Sequence, residues 1–205
     1  LFQDTKWLFI KEFVQNYASK TEIFLLSYFV GIEVIHEEER SYFAGAFSLC
    51  MVLPIITNSL TKVLLPTVTN IKQVESLKIY IRKLTKTLLI SVPAAIAFLA
   101  VMHWFVSEFK PDYKNSLPLM PIIILGTFFT FYTNNISLIF YRKGEIHFIS
   151  IVAIIQFISG AILCYILVPL YGSMGAVISL LFVRIIGFII TLIKTQSSLY
   201  GATTK

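Results

Sequence analysis

The chain has 205 residues, of which 57% are hydrophobic, 15% aromatic and only 14% charged, with a mean hydropathy of +0.80. An ordinary soluble domain carries roughly a quarter charged residues, so this chain has too few polar side chains to cover a water-facing surface. The formal net charge of +6 sits beside apolar runs rather than in one basic patch, which sets nucleic-acid binding aside in favour of a membrane topology signal.

At the start of the chain no charged n-region, short apolar core and small-residue cleavage site follow one another. Leu1 therefore reads as the inside of a longer chain, not as a signal peptide. A window of about twenty residues, the length that spans a bilayer as a helix, then finds six candidate spans, at about 7–31, 42–65, 87–107, 117–141, 147–169 and 174–194. The runs are continuous and lack the ten-residue alternation of a membrane barrel, so they read as helices. The expected fold is an all-α integral membrane protein, a six-transmembrane-helix bundle.

The first span is interrupted by Lys11, Glu12, Gln15, Asn16, Lys20 and Glu22 before the clean run IFLLSYFVG, and needs shielding by neighbours. After it, His36 followed by Glu37, Glu38 and Glu39 reads as a solvated loop. Between the second and third spans, residues 71–86 place Val74, Leu77, Ile81 and Leu84 on one stripe and Lys78, Arg82 and Lys86 on another, the pattern of an interfacial amphipathic helix on anionic membrane lipids. Pro54, Pro93, Pro121 and Pro169 lie in or beside spans, where they kink helices.

Polar groups recur at helical spacing inside the spans. Glu12, Asn16, Ser19 and Lys20 share a face of the first, and Asn58, Thr61 and Lys62 a face of the second. The fourth carries Thr127, Thr130, Thr133, Asn134, Asn135 and Ser137, and the fifth Gln156, Ser159 and Gly160. In the sixth, Arg184 stands among apolar residues with Gly187 and Thr191 on its face. Packing through small residues needs fewer polar groups than this. A hydrated path between helices accounts for them, and Lys20, Lys62 and Arg184 against Glu22 make that path net cationic and suited to an anion.

Enzyme chemistry has little support. His36, His103 and His147 lie at span ends, none at metal-ligand spacing, and no nucleophile elbow or phosphate-cradling glycine loop is present. Cys50 and Cys164 fall in apolar runs without a CxxC pattern, so they read as buried small hydrophobes. No catalytic residue, metal site or cofactor is expected.

The stretch TEIFLLSYFVG, then SYFAGAFSL, PIITNSLTKVLLPTV, FKPDYKNSLPLMPIIILG and ILVPLYGSMGAVISLL, taken in order, resembles the C-terminal half of the polysaccharide repeat-unit flippases. These handle O-antigen and capsule units and belong to the superfamily that also holds multidrug and toxin extruders and the lipid II flippase. The resemblance covers nearly the whole chain. Two departures stand out: Glu22 replaces the usual Asp, and HEEERS lengthens the turn before SYFAGAF.

The resemblance implies one lobe of a two-lobe transporter in the bacterial cytoplasmic membrane, working by alternating access with an N-terminal six-helix half as partner. Its substrate would be an undecaprenyl-diphosphate-linked oligosaccharide. Lys20, Lys62 and Arg184, with Asn58 and Asn134, are then the substrate-binding candidates, and Glu22 the coupling-ion candidate. The competing readings are a multidrug or toxin cation antiporter of the same superfamily and a non-transporting membrane scaffold.

Orientation follows from Lys6, Lys11, Lys62, Lys72, Lys78, Arg82, Lys83, Lys86, Arg142, Lys143, Lys194 and Lys205, which all fall on one side. Arg40, Lys110 and Lys114, among several carboxylates, fall on the other. Lys and Arg are retained in the cytoplasm, so both ends and residues 66–86 are expected there, with 32–41 and 108–116 opposite. Single cysteines at Lys78 and Glu38, in a background without Cys50 and Cys164, test this. An impermeant maleimide added to intact cells should label position 38 and spare position 78, and labelling of 78 would reverse the topology.

Overall fold

The computed structural model of the chain describes residues 2–18, 20–56, 59 and 74–200, and every regular element among them is helical. Helix α1 is Phe2–Ala18, α2 Thr21–Gly31, α3 Glu37–Cys50 and α4 Val74–Phe109. A 3-10 helix, Pro111–Leu119, leads into α5, Met120–Arg142, and α6 is Ile146–Tyr200. Among the described residues three segments are long and apolar enough to cross a membrane: Ile79–Phe109, Pro111–Tyr141 and Ile146–Ser197. The chain is thus an all-α, membrane-embedded protein.

The expected first span, 7–31, is divided. At Lys20 the backbone N–H bonds the Tyr17 carbonyl at 3.0 Å, and the Thr21 hydroxyl takes the same carbonyl at 3.1 Å. A Thr hydroxyl competing for a backbone carbonyl is one of the ways a helix is interrupted. The break leaves α2 apolar but only 11 residues long. Of the amphipathic stretch expected at 71–86, residues 71–73 lie outside the described residues, and from Val74 it runs on into the third span within one helix of 36 residues, α4. Of the second span, 42–65, residues 57–58 and 60–65 lie outside the described residues.

Helix α6 has 55 residues, which at 1.5 Å per residue would reach roughly 80 Å and overshoot any bilayer. It is folded at Gly172, whose φ of 56° and ψ of −132° are open to glycine and strained for other residues. Its two arms coincide with the expected fifth and sixth spans. At the corner Gly175 lies so close to the Leu167 carbonyl that a Cβ there would collide with backbone.

The acidic segment after His36 is not a loop. Glu37, Glu38 and Glu39 form the first turn of α3, where carboxylates complement the positive helix end. Glu37 pairs with Arg40 at 3.2 Å and Glu38 accepts the Tyr42 hydroxyl at 2.8 Å. Glu39 reaches across to the corner of α6, where its Oε2 accepts the Ser173 backbone N–H at 2.7 Å. It caps the second arm from another helix, a role that Ser, Asp or Asn at an N-cap usually fills.

The main core joins α2, α3, α5 and α6 through Leu26, Phe43, Met120, Cys164, Val168 and Val177. A second cluster ties α4 to α5 and the start of α6 through Tyr80, Leu84, Ile136, Phe140 and Ile149. There the Tyr80 hydroxyl donates to the Asn135 carbonyl at 3.3 Å. Helix α1 lies along α6, where the Ser150 hydroxyl donates to the Trp7 carbonyl at 2.7 Å. The outward faces carry Leu89, Ile90 and Ile96 on α4 and Ile158, Ile162 and Tyr165 on α6, all exposed. Lipid accepts such a surface, and water would not.

Gly172→Ala should cost on the order of 1–3 kcal/mol, because it adds backbone strain and places a methyl against Glu39. Glu39→Ala should cost about 1 kcal/mol by uncapping Ser173. Since both act on one contact, the double variant should lose less than the sum when unfolding is followed in detergent. Strict additivity would show that the corner does not depend on Glu39.

Candidate functional site

Polar residues of α1 and α5 meet Arg184 of α6 at one cavity of about 470 Å³. Helical periodicity puts Glu12, Gln15 and Asn16 on one face of α1, with Lys20 just past its end, and all four line the cavity. Helix α5 supplies Thr127, Thr130 and Asn134, and the second arm of α6 supplies Leu180 and Arg184, one turn apart. Apolar residues of and after α3, Phe47, Cys50, Met51 and Pro54, close the remaining side.

The local sequence explains how these groups fit. Thr127 and Thr130 turn their hydroxyls back to the Ile123 and Gly126 carbonyls, each at 3.0 Å, so both are satisfied within their own helix. Gly126 lets α6 come close: a Cβ there would lie 3.0 Å from Leu180 Cδ2 and 3.8 Å from Arg184 Cγ. Of the charged groups in the lining, Glu12 is neutralised by Lys11 at 2.8 Å. Among the described lining residues that leaves Lys20 and Arg184, a positive balance of charge.

Behind Arg184 lies a second, much smaller chamber of about 20 Å³, bordered by Gln15, Thr21, Glu22, Gln156, Gly160 and Arg184. A space of that size is enough for one water. Glu22 is only 8% exposed. It is the charged group that acts on Arg184, yet among the described residues the two form no ion pair within 4.0 Å. Gln156 is held by donating from Nε2 to the Val183 carbonyl at 3.2 Å. That bond requires Gly187, because a side chain there would collide with the Gln156 amide.

Of the residues proposed from sequence, Lys20, Asn134 and Arg184 come together on the large cavity, though they lie far apart in the chain. Glu22 does not line it and stands one layer behind, against Arg184. Asn58 and Lys62 lie outside the described residues. The polar residues of the fourth span divide. Asn135 is fully buried away from the lining with its amide nitrogen on the Phe131 carbonyl at 2.8 Å, and Thr133 and Ser137 are buried as well. Gly187 faces Gln156.

Gln15, which borders both spaces, was legible only as an interruption of an apolar run. Its place three residues after Glu12, on the face of α1 that also carries Asn16, was the signal. Among the described residues no group of three or more His, Cys, Asp or Glu stands together as a metal site would require. Comparison with protein families, with curated proteins and with solved structures finds no match.

If the cavity is hydrated, cysteines at Thr130 and Asn134 should react with a charged thiosulfonate, and a cysteine at outward-facing Ile162 should not. Reactivity is read by mass shift in membranes, in a background lacking Cys50 and Cys164. Equal protection at all three positions would make the cavity dry.

Proposed function

We propose that this chain is the C-terminal lobe of a flippase that moves lipid-linked oligosaccharide repeat units across the bacterial cytoplasmic membrane. The observation that carries the reading is the convergence of Lys20, Asn134 and Arg184 on one cationic cavity between helices of an apolar chain. A charge at membrane depth faces a pathway or a partner far more often than lipid. The two cations match a diphosphate, and the guanidinium offers it a planar fork of donors that can engage two oxygens. Asn134, Asn16 and Gln15 add amides that suit sugar hydroxyls.

In this reading the six expected spans, including 42–65 with Asn58 and Lys62, form one lobe. A second, N-terminal six-helix half rocks against it, exposing the cavity to the cytoplasm and then to the other side. The oligosaccharide head passes through the hydrated cavity while the undecaprenyl tail stays in lipid. The Lys and Arg asymmetry orients both ends to the cytoplasm. No covalent chemistry is required of the protein, and the reading assigns no catalytic residue.

A multidrug cation antiporter would need carboxylates to dominate the cavity, whereas Glu12 is the lining carboxylate and is paired with Lys11. A scaffold would not need a polar cavity of this size.

Arg184→Lys in the protein carrying both lobes should insert normally yet lose glycan export by at least about tenfold, the effect of losing a bidentate contact worth about 1.4 kcal/mol or more. Arg184→Ala should abolish export. Cell-surface glycan measured at matched expression decides, and full export by Arg184→Ala would reduce the arginine to a structural contact.

A further inference from the structure

A groove of about 480 Å³ opens where α3 begins and α4 stops, and it shares no lining residue with the cavity beside Arg184. From α3 it takes Ser41, Ala44, Gly45 and Ser48, which their spacing of three and four puts on one face. Phe105 and Val106 of α4 supply apolar wall, and Lys110 and Tyr113 complete the lining. Lys110 follows Phe109, the last residue of the apolar segment Ile79–Phe109, so it stands at headgroup level. Phe105 and Val106 lie about one turn deeper, and Ser48 lies about 10 Å along α3 from Ser41. The groove therefore leads from the headgroups into the hydrocarbon.

We propose that this groove binds one glycerophospholipid, with its phosphate on the Lys110 ammonium and the upper part of an acyl chain between α3 and α4. The site is independent of the cavity and of the transport reading.

Charge complementarity comes first. The carboxylates of this end leave Lys110 free: Glu37 pairs with Arg40, Glu38 accepts the Tyr42 hydroxyl and Glu39 accepts the Ser173 N–H. Glu108 and Asp112, its neighbours in the chain, form no ion pair with it within 4.0 Å. A lysine at the edge of the hydrocarbon without a protein counter-charge is suited to a lipid phosphate.

The hydroxyls point the same way. Ser27, Thr127, Thr130 and Ser179 each donate to the carbonyl four residues back, whereas Ser41 and Ser48 make no such bond and both line the groove. A hydroxyl at membrane depth is costly without a partner. The ester oxygens of a glycerophospholipid offer acceptors just below its phosphate.

A face of small residues is also where a second transmembrane helix packs, by bringing its backbone close. Here that approach is taken, because the Tyr113 ring lies over Gly45 so tightly that a Cβ there would collide with it. A flexible acyl chain needs no such approach.

The test is native mass spectrometry of the purified chain in detergent, titrated with phosphatidylethanolamine or with an uncharged glucosyl diacylglycerol of the same acyl chains. Wild type should bind the first phospholipid about fivefold more tightly than the glycolipid, the advantage one lysine near the headgroups provides. Lys110→Gln should erase that preference, and Lys114→Gln, a lysine outside the lining, should keep it. Ser48→Phe, which fills the groove, should weaken both lipids. Equal binding of the two lipids by wild type, or a preference that survives Lys110→Gln, overturns the inference. Dimers of the chain that Ser48→Phe abolishes would give the groove to a second helix and overturn it too. Should Ser48→Phe fail to fold, Lys110→Gln still decides, since an exposed lysine without a partner holds nothing in place.

Discussion

A guanidinium held among apolar helices is the constraint around which this structure is arranged. Left against lipid, Arg184 would cost roughly 2.5 to 3.5 kcal/mol even on the lenient insertion scale. The fold answers with a polar space on each side of it. Gly126 admits its stem against α5, Gly187 lets Gln156 stay pinned to the Val183 carbonyl, and Glu22 supplies a counter-charge at a distance. Gly126, Gln156 and Glu22 lie far from Arg184 in the chain and meet it through the packing of α2, α5 and α6.

The corner at Gly172 fixes how far along the second arm of α6 Arg184 stands. Twelve residues separate the two, about 18 Å along a helix, which is near half the hydrocarbon thickness of roughly 30 Å. Glu39 holds the corner by accepting the Ser173 N–H. A carboxylate at one end of the bundle thus sets the register of a cation in its middle. The close approach of Gly175 to the Leu167 carbonyl leaves the two arms little freedom to slide past each other.

Much of this was legible in the sequence, for physical reasons that differ from element to element. Long apolar runs announced the three helical segments Ile79–Phe109, Pro111–Tyr141 and Ile146–Ser197, because hydropathy summed over twenty residues is a strong signal. Polar residues at helical spacing pointed to a shared cavity, and Lys20, Asn134 and Arg184 do meet there. The break at Lys20 was hidden, since it turns on a local competition between the Thr21 hydroxyl and a backbone N–H for one carbonyl. Glu39 was read as a solvated charge because its partner is the backbone of Ser173, 134 residues away. The division of Asn134 from Asn135, one facing the cavity and one fully buried, rests on how α5 is rotated against its neighbours. Periodicity within one helix carries no information about that rotation.

The proposal turns on whether the cavity beside Arg184 holds the diphosphate of a lipid-linked glycan. Native mass spectrometry of the protein carrying both lobes, released gently from its own membrane, tests it most directly. The account predicts an adduct whose fragments are a polyprenyl diphosphate and sugars in wild type, and its loss in Arg184→Ala. Ordinary phospholipid adducts alone, equal in the two proteins, would contradict it.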